Sequence, residues 1–121
     1  MNYGLKVREI SDDIPRKHIL YAYGAGNDRI SKRGENALIT SMRLRMVGEV
    51  FEELSAVATL PESEEPLTLN VADEVTQGVK QYLSPEGVHA HEVILNGDAA
   101  VADVLNFFEA INESTAPELS R

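Results

Sequence analysis

Residues 18–60 read HILYAYGAGNDRISKRGENALITSMRLRMVGEVFEELSAVATL, and the fold turns on how this stretch is divided. His18 to Tyr23 is an apolar, aromatic run that suits a strand buried on at least one face. Gly24-Ala25-Gly26-Asn27-Asp28 breaks that strand. Asp28 or Ser31 can cap a helix after it, and Ser31 stands better at the boundary. Leu38, Ile39, Met42, Met46, Val47, Val50, Phe51, Leu54, Val57 and Ala58 then recur at spacings of three and four. That stripe predicts one long helix from Ser31 to Leu60, ended by Pro61. Gly34 and Gly48 weaken it, each by roughly 1 kcal/mol relative to Ala.

Upstream, Tyr3, Leu5 and Val7 alternate with polar residues and Ile10 closes a short strand pattern. The turn Ser11-Asp12-Asp13-Ile14-Pro15 would join it, antiparallel, to the strand at 18–23. Downstream, Pro61 to Pro66 is an acidic loop. Leu67, Leu69 and Val71 alternate like a strand, whereas Leu67, Val71, Val75, Val79 and Leu83 step by four like a helix. The reading adopted is a helix over Val71–Leu83, then a turn at 84–87, a strand over Val88–Leu95 and a turn at 96–98. A last helix follows over Ala99–Ile111, with Val101, Val104, Leu105, Phe108 and Ile111 on one side. Residues 112–121 read as a flexible tail. The order β-β-α-α-β-α gives one mixed α/β (α+β) domain over residues 1–111. It would have two layers, a small sheet under a long central helix.

At 121 residues the chain suffices for one hydrophobic core. It has no cysteine, which removes disulfides, thiolate nucleophiles and cysteine-bound zinc. No window approaches the roughly 20 apolar residues of a membrane span. MNYGLKVREI lacks the apolar centre of a signal peptide, so the expected compartment is the cytoplasm.

Net charge is −9, but it is unevenly spread. Residues 1–45 carry nine Lys/Arg and five acids, residues 46–121 two Lys/Arg and fifteen acids. The first part can meet a phosphate-bearing ligand, pair with the second part inside one fold, or dock on the acidic part of a neighbouring copy.

Strand, glycine turn and helix start form a layout suited to anions. A helix N-terminus offers unpaired N–H groups and about half a positive charge, and glycine lets a ligand approach the backbone. Tyr21, Tyr23, Gly24, Gly26, Asn27, Arg29, Lys32 and Arg33 lie in or beside this turn, and Arg43 and Arg45 follow. Tyr21 and Tyr23 share one strand face and could stack on a base. The turn matches neither a P-loop nor a complete dinucleotide fingerprint, because no third glycine stands at the required place.

The segment ILYAYGAG…RISKRGENALI resembles the strand-to-helix segment of the Alba family of nucleic-acid-binding proteins. Ile30, Ser31, Lys32, Ala37 and Ile39 occupy the matching places within Ile19–Ile39. The resemblance implies that Lys32, with Arg29 and Arg33 beside it, contacts a nucleic-acid backbone. The turn is longer than that family's usual one, and the 17 residues before His18 leave no room for its preceding strand–helix unit.

Other constellations point to the surface. His89 and His91 would share a face of the expected strand and could reach one metal, but no carboxylate follows at a suitable distance. Glu52, Glu53, Glu62, Glu64 and Glu65 read as a solvated acidic surface. No serine sits in a nucleophile elbow. The expected function is therefore non-enzymatic binding of a nucleic acid or nucleotide through residues 21–33 and the arginines at 43 and 45, without cofactor or metal. The alternative is an acidic assembly module whose 46–121 part docks on a protein partner or a second copy.

Overall fold

The computed structural model describes residues 16–61 and 63–121, so the strand and turn expected over 3–15 lie outside the described residues. Strand β1 (Ile19–Gly24) leads into helix α1 (Lys32–Ser41). Strand β2 (Gln77–Tyr82) pairs with β1 in parallel, Ile19 opposite Gln77 and Gly24 opposite Tyr82. A 3₁₀ turn (Ala90–Glu92), a short helix α2 (Val93–Asn96) and helix α3 (Asp98–Asn112) complete the order. The chain is thus a mixed α+β fold around a small sheet.

The long central helix is not formed. Helix α1 starts where Ser31 caps it, its hydroxyl accepting the Gly34 N–H, and ends ten residues later at Ser41. Arg43 takes a left-handed conformation at φ 52°. Its N–H donates to the Thr40 carbonyl, and the Leu44 N–H reaches back to Ile39. This is a Schellman stop, with arginine where glycine is usual. Beyond it, Met42, Leu44 and Met46 point inward while Arg43 and Arg45 point out. From Arg45 the backbone runs beside β2: Val79 donates to the Arg45 carbonyl, Val47 donates to the Val79 carbonyl, and Met46 bridges both Val79 and Thr59 in parallel.

The expected helix over 71–83 is also replaced. Ala72 and Asp73 are both left-handed, at φ 54° and 55°, which turns Val71 back onto Val75 and delivers Thr76 into β2. The strand expected over 88–95 is the 3₁₀ turn and α2 instead. There the His89 imidazole accepts the His91 N–H, a local bond that closes a turn rather than a ladder. In the expected tail, Leu119 exchanges both backbone bonds with Leu67 and is fully buried.

Alternation along β1 divides the core. Ile19, Tyr21 and Tyr23 pack with Ile39, Met42, Leu44, Met46 and Val79 on one face of the sheet. Leu20 faces Val47, Leu67, Phe107 and Leu119, and Ala22 faces Tyr82, Val93 and Ala100. Both faces of the sheet are covered, as parallel strands require, and the layer expected on one face is joined by another on the opposite face. No described helix is long and apolar enough to cross a membrane.

Candidate phosphate-binding cleft

The glycine turn is occupied by the protein's own groups. A Cβ on Gly24 would lie 2.2 Å from the Ala90 carbonyl oxygen, so this glycine admits the 3₁₀ turn and not a ligand. Gly26, at φ 78°, directs its N–H to the Glu52 carboxylate at 3.0 Å. Lys32 pairs with the same carboxylate at 3.1 Å. Asn27 is buried; its amide contacts His91 Nδ1 at 3.2 Å while its oxygen accepts the Arg29 N–H. His89 Nε2 lies 3.1 Å from Asp28. The two histidines thus clamp the turn, one residue each. Among the described residues no group of three or more His, Cys, Asp or Glu is placed to hold a metal ion.

Tyr23 is a core residue, and Tyr21 packs partly buried against the same cluster. Tyr21 and Tyr23 meet edge to face at 5.9 Å, and Gln81 donates to the Tyr23 hydroxyl. Burial pushes the Tyr23 phenol up to about 12, with Glu52 and Glu35 adding to the effect. Burial, and then Glu35, also raises Tyr21. Glu35 itself is 2% exposed and neither carboxyl oxygen has a hydrogen-bond partner. Its pKa is raised, first by burial and then by Glu52, with Lys32 opposing.

Arg29 and Arg33 are exposed, and neither pairs with a described carboxylate. Arg43 and Arg45 are likewise exposed and unpaired among the described residues, and they are set differently. Both line a cleft of about 550 Å³ that also includes Thr40, Asn70, Val71 and Gln77. Asn70 acts as a strand partner for Gln77, accepting its N–H at 2.8 Å and donating to its carbonyl at 2.9 Å. The Gln77 amide donates to the Lys17 carbonyl, leaving its own side-chain oxygen buried without a partner.

No family model matches the chain, and no curated protein or solved structure matches it either. The site therefore stands on its own chemistry. Of the residues expected from the sequence, the structure gathers Arg43 and Arg45 at the cleft and Tyr21, Tyr23, Gly24, Gly26, Asn27 and Lys32 in an internally satisfied network. Thr40, Asn70 and Gln77 were not foreseen. They come from three separate segments, so no local sequence pattern marks them.

Proposed function

We propose that this protein binds a phosphate-bearing ligand, a nucleotide or a nucleic acid, without catalysis, and that the cleft at Arg43 and Arg45 is where it does so. The observation that carries the reading is that Arg43 and Arg45 line one cleft, with no carboxylate among its described lining residues. Guanidinium forks match phosphate oxygens in charge and geometry. The Alba-like segment points to the same ligand class, although its lysine, Lys32, is engaged by Glu52.

The test is fluorescence anisotropy with a labelled single-stranded oligonucleotide and, separately, a labelled nucleoside triphosphate, across 50–200 mM salt. Arg43→Ala/Arg45→Ala should weaken binding of the true ligand class and flatten its log–log salt slope by about 2. Lys32→Ala should change it less. Binding that ignores both arginines, or no binding of either probe, would refute the reading.

A further inference from the structure

Helix α3 leaves much of its apolar stripe in water. Ala100 and Phe107 are buried, but Leu105 is 55% exposed and Phe108 66% exposed, and Ile111 is also uncovered. Leu95, just before the helix, is 79% exposed. Between α3 and β1 runs a groove of about 380 Å³, lined largely by Ile19, Leu20, Ala22, Ile94, Val104 and Phe108. Isolated exposed apolar residues are ordinary; large side chains at helical spacing beside an apolar groove mark an interaction site.

The charge on the helix side of this face identifies what fits it; the strand side carries His18 and, beside it, the exposed Lys17. Residues 83–120 contain seven acids and no Lys or Arg. Glu92 and Glu109 are exposed and make no ion pair with a described residue. Glu109 borders Leu105, one helical turn away, and Glu92 precedes Ile94 by two residues. A second copy docking α3 against α3 would set two acidic helix sides against each other. An anionic lipid surface would be repelled in the same way. A basic rim around an apolar stripe is complementary on both counts.

We propose that this face is a docking site for a basic amphipathic helix of another protein. The incoming helix lays apolar residues at i, i+3, i+4 and i+7 into the groove and against Phe108 and Leu105. Its Lys or Arg side chains flank the stripe and meet Glu92 and Glu109. The surface is separate from the arginine cleft and does not depend on a ligand being bound there.

The experiment uses the full chain and two labelled helical peptides with identical Leu stripes, one with Lys flanks and one with Glu flanks. The expected result is binding of the Lys peptide at least tenfold tighter than the Glu peptide. Phe108→Glu decides the mechanism: it adds negative charge while removing apolar contact. Binding by charge alone would strengthen in that variant, whereas docking in the groove weakens at least tenfold. Leu105→Ala, at an exposed position, provides a milder change in the same direction. Three results overturn the proposal: equal binding of both peptides, no binding of the Lys peptide, or Lys-peptide binding undiminished by Phe108→Glu. Gel filtration adds a fourth: a stable dimer that Phe108→Glu dissociates would assign the face to a second copy.

Discussion

The Glu52 carboxylate accepts the Gly26 N–H at 3.0 Å, so the turn that resembles an anion site already holds an anion of its own. Lys32 meets the same carboxylate. The backbone around Glu52 is fixed independently, because the Gln81 side chain accepts the Phe51 and Glu52 N–H groups and donates to the Glu52 carbonyl. Removing the carboxylate should therefore empty the turn without releasing the loop. Glu52→Ala should lose about 1.5–3 kcal/mol in urea denaturation, the scale of a hydrogen bond to a charged group. It should also add a phosphate-sensitive contact, seen as stronger protection by inorganic phosphate in thermal melts than the parent shows. Equal protection in the two proteins would mean that the turn has no anion affinity.

Arg43 separates stability from binding. Its left-handed backbone suits glycine, so Arg43→Gly should relieve strain and raise stability by about 1 kcal/mol. Arg45 has no such conformation, and Arg45→Ala should be close to neutral. Both variants should bind a phosphate-bearing probe more weakly. Chemical denaturation beside the anisotropy titration checks the pair. If Arg43→Gly is destabilised, the left-handed stop owes its stability to side-chain contacts of the arginine.

Glu35 makes a pH-dependent prediction. Burial and then Glu52 raise its pKa above the ordinary 4.5, Lys32 opposing. The unfolded chain releases this proton near 4.5, while the native carboxyl holds it to higher pH. Ionisation thus favours the unfolded state as pH rises above 4.5, until native Glu35 also ionises and the loss levels off. Glu35→Gln should remove that part of the profile, its advantage over the parent growing as pH climbs from 4.5. Glu35→Met, which takes both unpartnered oxygens out of the core, should stabilise by about 1 kcal/mol at neutral pH. Parallel pH profiles for parent and Glu35→Gln would show that the site relaxes to hydrate the charge.

These positions also show where the sequence was legible. The strand at 19–24, the Ser31 cap, the last helix and the basic first part could be read, because each has a local physical cause. The apolar positions 42, 46, 50, 54 and 57 were rightly marked as core, but their secondary structure was misjudged. A step of four satisfies a helix, and being even it equally satisfies strand alternation. Leu67, Val71, Val75 and Val79 repeat the same ambiguity. Arg43 decided the first case and the Ala72-Asp73 turn the second, through left-handed residues that are not glycine and carry no composition signal. The anion-site layout was visible, but its occupant Glu52, 26 residues from Gly26, was not.

Asp103 is the acceptor for two buried donors, and removing it should cost more than removing either. Its Oδ2 accepts from Lys80 Nζ at 2.7 Å and from the Tyr82 hydroxyl at 2.7 Å. The Lys80 side chain is 14% exposed, and Ser120 provides its other polar contact. Burial and the bond to Asp103 raise the Tyr82 phenol, so it remains a donor. Asp103→Ala leaves a largely buried ammonium and a hydroxyl without their acceptor, and should lose about 3 kcal/mol, at the low end for breaking a buried pair because Asp103 is partly hydrated. Lys80→Met removes the charge together with its need for a partner, keeps the chain's apolar length over Tyr82, and leaves Asp103 the Tyr82 hydroxyl, so it should lose about 1 kcal/mol. In the double variant no orphaned ammonium remains, and the loss should fall below that of Asp103→Ala alone. Urea denaturation of all four proteins closes the cycle. Additive losses would mean that Lys80 reaches water freely once Asp103 is gone, and that the pair does not hold this wall of the core.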